Sequence, residues 1–297
     1  GSSNLVVPTL ANGKNYYIKN SSNTAITVKT ASGSGILVPA GKSASLYQDG
    51  TNVVEAADYS SAAYTFASDI TVNGVTVGKG ANSVANNTVL GDDALDAAVT
   101  GDNNVAIGKS ALTANTSGAN NTAVGFNAAL SNTTGGIDAF GRDAGRSNTT
   151  GAANLAVGET ALYNNTTGAS NTAIGRESLN ANTTGPSNTA VGYQSLSAGT
   201  TGNRNVAVGY QAMGTGVNTG QKNIAIGYQA GKPITSGVRN VVIGDEAGLA
   251  MTTGGTNTIV GTEAGNAITT TGDNTIVGNE AGKETTTTLT AFGAFAG

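Results

Sequence analysis

The sequence predicts an all-β protein whose larger part is a solenoid of short stacked coils, and three observations carry that prediction. A five-residue phrase, Asn-x-Ala-Val/Ile-Gly, returns along the chain, as at Asn121–Gly125, Asn171–Gly175, Asn188–Gly192 and Asn205–Gly209. Its closing glycine stands at thirteen places from Gly91 to Gly293; nine of the twelve steps between them are 17 residues, and the others are 16, 18 and 15. The third residue after that glycine is Ala or Ser in every copy, from Ala94 to Ala296. Polar turns part the copies, with Asn-Thr-Thr-Gly at 132–135, 148–151, 165–168 and 182–185. Self-similarity at so even a period marks one supersecondary unit stacked on the next.

Composition removes several classes of function. Of the 297 residues only 11% are charged, the net charge is −4 and no Lys/Arg cluster occurs, so no nucleic-acid footprint is expected. Cys, His and Trp are absent, which excludes disulfides, thiolate or imidazole metal sites and the usual nucleophilic triads. No apolar run approaches membrane-spanning length, so no membrane insertion is expected.

Residues 1–58 fall outside the repeat and read as a small antiparallel β domain, a sandwich or barrel of about six strands. Lys14 to Lys19, Ala25 to Lys29, Gly35 to Val38, Ser43 to Tyr47 and Asn52 to Glu55 are the strand candidates, the last two flanking Asp49-Gly50, a hairpin signal. Residues 59–80 form a junction: Tyr59 to Ala63 reads as a linker, and Asn73-Gly74 sits between Ile70-Thr71-Val72 and Val75-Thr76-Val77 as a hairpin or an irregular first coil. Residues 81–297 form the repeat shaft.

Each repeat is expected to hold two strands and a turn. In the first strand, positions two and four (Thr122 and Val124; Ile224 and Ile226) share one face, while position three, usually Ala, faces the other way. The glycine then allows a bend, and a second short strand carries the Ala/Ser place. Coils about 4.8 Å apart make thirteen of them a rod of roughly 60 Å. Few bulky apolar side chains fall in each coil, so the small-residue columns are expected to be a face along which rods pack, giving a homotrimer.

The repeat phrase with its small-residue segment resembles the left-handed parallel β-roll in the heads of bacterial trimeric autotransporter adhesins. The wording of Asn188 to Leu196 and Asn274 to Gly282, together with Pro39 to Ser43 and Asp69 to Gly78, is closer to repeat-rich bacteriophage tail-fibre and appendage proteins. The resemblance implies a trimeric structural fibre of a virion that mounts or mediates host-cell attachment, with other virion proteins and a host-surface glycan or receptor as partners. No catalysis, cofactor or metal is expected from the residues, and the resemblance carries over no catalytic or binding residue. A bacterial surface adhesin head and a glycan-degrading spike are the alternative readings.

Three columns deserve comparison with chemistry. Glu177, Glu246, Glu263 and Glu280 share one place in the repeat and suggest either a cation or carboxylate-pair site or, as we favour, a solvated ladder relieved by salt, with Arg239, Lys232 and Lys283 on nearby turns. Tyr193, Tyr210 and Tyr228, beside Gln194, Gln211 and Gln229, could dock a sugar but read better as a stacked ladder. The Asn at position one, present in eleven of thirteen copies, reads as a hydrogen-bonded ladder, and the Asn-x-Thr triplets as turn chemistry rather than glycosylation sites.

Overall fold

The computed structural model describes residues 3–7, 14–48, 53–57, 69–284 and 286–296. The linker expected at Tyr59 to Ala63 and the Asp49-Gly50 turn lie outside these residues. The chain divides into two compact units, Gly1–Phe66 and Ala67–Gly297. The described residues are β-strands and turns apart from one 3-10 turn at Ala81–Ser83, and no helix is long and apolar enough to cross a membrane.

The first unit holds six strands: β1 (Ser3–Val6), β2 (Lys14–Lys19), β3 (Ile26–Lys29), β4 (Gly35–Val38), β5 (Ser43–Gln48) and β6 (Val53–Ala57). They form two three-stranded sheets, in the orders β1-β3-β4 and β2-β5-β6. Val28 and Val38 from one sheet and Ala44 and Leu46 from the other meet in one buried cluster, which makes the unit a small sandwich. It is not wholly antiparallel, as the hairpin reading expected: β1 pairs with β3 in parallel. Between them the chain crosses to the other sheet as β2, and that crossover lets β3 return in the same direction as β1. Buried Asn20 pins the following turn, donating to the carbonyls of Thr24 at 2.9 Å and Val38 at 2.9 Å.

The second unit opens with the hairpin β7 (Ile70–Val72) and β8 (Val75–Gly78), joined by Asn73-Gly74, both with positive φ. β8 lies antiparallel to β9 (Thr88–Gly91), so the hairpin closes one end of the sheet. Thirteen short parallel strands then follow in sequence order from β9 to β21 (Thr290–Phe292), giving one 15-stranded sheet with the hairpin. Register is strict: Thr122 lies against Val105, Ala123 against Ala106 and Val124 against Ile107. This is the β-solenoid that the 17-residue period predicts.

The closing glycine of every phrase but the last is required twice over. Gly175 has φ +127°, and a Cβ there would lie 2.5 Å from the carbonyl oxygen of Gly192, one coil on. No side chain fits either demand.

The segment after that glycine is not the second strand that the sequence suggested. It is a pair of tight turns, closed in one coil by Ala111 N–H to the Gly108 carbonyl at 3.3 Å and Asn115 N–H to the Leu112 carbonyl at 3.0 Å. Two residues per coil take a left-handed conformation there, such as Glu177 (φ 58°) and Leu179 (φ 50°). The readable signal was Gly at the second of these places, as Gly145, Gly231, Gly248, Gly265 and Gly282.

The small-residue columns also face the other way from the expectation. Ala123 at position three and Ala128 in the turn are fully buried inside one chain's own coil, as are Ala190 and Ala207 with Ala212. Positions two and four, expected to share a face, do share one, and it is the outer one. Thr122 and Val124 are half-buried by their neighbours along the sheet, and Ile224 and Ile226 are exposed, while the Ala between them is buried. The interior is so thin that Ala is the largest side chain that most coils admit at those two places.

Candidate functional site

Asparagine carries most of the polar work inside the roll. Asn188 shows the pattern: its backbone N–H donates to Asn171 Oδ1 at 2.9 Å, its own Oδ1 accepts from Asn205 N at 3.0 Å, and its Nδ2 donates to the Gly202 carbonyl at 2.8 Å. Each side chain thus bridges coils at the place where strand dihedrals begin. A second column runs through the turns, with Asn148, Asn165 and Asn182 each donating Nδ2 to the Oδ1 one coil before, at 2.9, 2.6 and 2.8 Å. These turn asparagines are also the Asn of the four Asn-Thr-Thr triplets at 132, 148, 165 and 182. Asn132, Asn148, Asn165 and Asn182 are at most 1% exposed, so the folded chain offers no amide nitrogen for glycosylation there.

The tyrosine column forms a stack along the outside. Tyr193 and Tyr210 have centroids 5.4 Å apart and planes at 22°; Tyr210 and Tyr228 are at 5.1 Å and 9°. Arg176 lies over the remaining face of Tyr193, 5.8 Å from its centroid. A sugar ring stacks on an aromatic face, and here the ladder itself occupies most of the faces. The amides alongside form a matching chain: Gln194 donates to Glu177 at 2.6 Å, Gln211 to Gln194 at 2.7 Å and Gln229 to Gln211 at 3.1 Å.

In the glutamate column, Lys283 bridges Glu263 and Glu280, the latter at 3.0 Å, and hydrogen bonds to both raise its ammonium pKa above the ordinary lysine range. Lys232 and Arg239, placed by the sequence on nearby turns, enter none of the ion pairs among the described residues. Nor does any group of three or more carboxylates among those residues take an arrangement that could hold a metal ion.

Two features were not singled out in the sequence. Arg142 and Arg176 both reach Glu159, from the coils on either side of it, and the hydrogen bond from Arg142 holds the Glu159 carboxyl below the usual carboxylate range. Spacing by 17 residues, Arg-Glu-Arg, was the available signal. The other is a cavity of about 510 Å³ beside the capping hairpin, lined among others by Asp69, Asp92, Asp93 and Asp96. Its carboxylates are partly committed: Asp69 accepts from Lys79 N at 2.7 Å and Gly80 N at 2.6 Å, and Asp92 pairs with Lys109 at 2.8 Å.

What remains is the outer face of the sheet. Position four is Val, Ile, Leu or Phe in all thirteen coils, and position two is Thr or an aliphatic residue in every coil except one, where it is Asp138. Twelve steps of about 4.8 Å and a width of three residues give roughly 600 Å² in projection. That is close to the area which one partner contributes to a standard interface, about 800 Å². No family model, no curated protein sequence and no solved structure matches this chain.

Proposed function

We propose that this chain is a structural fibre segment of a bacteriophage particle, a tail fibre or another appendage, that mounts or mediates attachment to the host cell. The observation that carries the reading is the long, nearly uncharged outer face of the solenoid. A rod of identical coils suits length and stiffness. A nearly uncharged strip of this size, aliphatic or aromatic along position four and largely Thr along position two, is what a partner of the same length covers. Three copies packed along it bury the face and leave the Tyr, Gln and Glu columns outside as stiffening ladders. Other virion proteins hold the fibre, and a host-surface glycan or receptor is its target. The reading requires no catalytic step.

Recognition belongs to the places that break the repeat. The widened coil exposes Val217 at its turn, and the last coil exposes Phe295 in the turn after its bend glycine, at 72%. Immunogold labelling with antibodies against the shaft tests the assignment. Gold on the appendages of purified phage particles is expected; gold on the surface of uninfected bacteria instead would replace it with the adhesin-head reading. Release of oligosaccharides from host polysaccharide by the purified chain would replace it with the glycan-degrading one.

A further inference from the structure

A docking face whose coils recur every ~4.8 Å nearly matches itself after a slip of one coil. A copy displaced by one step still faces twelve of the thirteen strands, so contact area separates neighbouring registers only weakly. Closed assembly needs something on the face that differs from coil to coil, because staggered copies leave overhangs that recruit further chains.

Two adjacent outward places supply it. The strand Ile137–Phe140 has alternating burial, with Ile137 and Ala139 inside and Asp138 and Phe140 exposed on the outer face. Asp138 is the single charged residue at positions two and four of all the coils, and Phe140 is the only aromatic one before the last coil. Asp138 takes part in none of the ion pairs among the described residues. The same coil is the shortened one, 16 residues from Gly125 to Gly141, and Ile137 there replaces the ladder asparagine. The inner ladder is patched by backbone: Ile137 N still donates to Asn121 Oδ1 at 2.8 Å, while Asn154 N turns to the Gly136 carbonyl at 3.2 Å.

We propose that Asp138 and Phe140 set the axial register in which copies of this chain pack along the outer face, an inference that rests on the homotypic packing proposed above. In register, the carboxylates of all copies gather in one layer, where they share water and protons, and the phenyl rings gather beside them. Slipped by one coil, each Asp138 is pressed separately against Thr122 or Leu155 of a neighbour, and each Phe140 against Val124 or Val157. Every displaced copy then desolvates a charge against uncharged side chains. A lone polar residue in the seam of a coiled coil fixes register by the same logic, at some cost in stability.

The chain has no Cys, so single cysteines report the register directly. Thr172→Cys and Thr189→Cys occupy position two of neighbouring coils. Two full-length chains, one with each substitution and carrying tags of different mass, are co-expressed, oxidised and read by mass spectrometry. In the otherwise native background, same-site disulfides are expected to exceed mixed 172–189 disulfides at least ten-fold. With Asp138→Thr and Phe140→Val in both chains, mixed disulfides should rise to a yield comparable with same-site ones. Same-site disulfides alone in that variant would place the register elsewhere and overturn the inference, leaving the packing intact. Mixed disulfides already abundant in the native background would show that no register is set, and would overturn it too. No disulfide in either background would overturn the packing along this face.

Discussion

The coil that begins at Gly158 and the coil that begins at Gly261 follow the same backbone path and fill it from opposite sides. In the first, Leu162 takes the left-handed place in the turn (φ 53°) and is fully buried, as are Ala156 and Asn165. In the second, Gly265 takes that place (φ 60°), and Ile259 from the strand and Ile268 from the turn fill the interior instead. A Cβ on Gly265 would lie 3.1 Å from Ile259 Cδ1, so the two fillings exclude each other. The energies explain why both survive. A non-glycine residue in the left-handed region costs roughly 1–2 kcal/mol, while burying a Leu gives back about 1.5–3 kcal/mol. Gly avoids the strain and passes the filling to other places. What repeats along this rod is interior volume, and the residues supplying it are exchangeable where the backbone leaves a choice.

The comparison breaks most sharply at the fillers. Leu162→Ala and Ile268→Ala are each expected to destabilise by about 2–5 kcal/mol, by loss of burial plus a cavity that a solenoid coil cannot collapse. Chemical denaturation of the two variants measures this. A loss under about 1 kcal/mol in one of them would mean that its coil is held by something other than its filler.

Ala212 tests the columns that do not vary. It is fully buried in a coil that fills itself with Met213, next to one filled by Leu196, so Ala212→Leu should cost about 1–3 kcal/mol by overpacking. A melting curve equal to that of the native chain would return the alanines to the surface, where the sequence reading had them.

The asparagine ladder is common to both kinds of coil. Asn188→Ala removes the acceptor of Asn205 N and leaves that buried amide unpaired, at an expected cost of about 1–3 kcal/mol. Amide hydrogen exchange at Asn205 should accelerate with it; unchanged protection there would mean that another acceptor takes over.

The smallest expected effect is a gain. The turn ladder ends where Gly199 stands in place of Asn, next to Asn218, whose buried Oδ1 has no partner. Gly199→Asn should add up to about 1 kcal/mol by continuing the column toward that oxygen. A lower melting temperature would show that the Leu196 atoms, 3.1 Å from a Cβ at Gly199, do not yield.

Much of the roll was legible because its period is a direct readout of stacking: every coil places the same residue over the same residue. The strand, the bend glycine, the Asn ladder and the tyrosine stack all follow from that alone. The turn segment was misread because Ala or Ser at one fixed place fits a tightly packed strand as well as a tight turn. Only Gly at 145, 231, 248, 265 and 282 marked the left-handed backbone. The inside and outside of the sheet were exchanged for a related reason. Pattern alone says that Thr122 and Val124 share a face opposite Ala123, but which face lies inside depends on how narrow the coil is. Pairing of β1 with β3 was out of reach, since a crossover between sheets leaves no local mark in residues that read as hairpins.

The central claim is that the Thr/Val/Ile face, and not the alanine columns, holds copies together. Light scattering on the purified chain measures it most directly when paired with a variant carrying Val191→Lys and Val208→Lys, both on position four of that face. The native chain is expected at about three times 29.0 kDa, and the variant at one times that mass with its β-sheet circular dichroism unchanged. A native chain that is stable and folded as a monomer, or a variant that keeps the full assembled mass, would contradict the account.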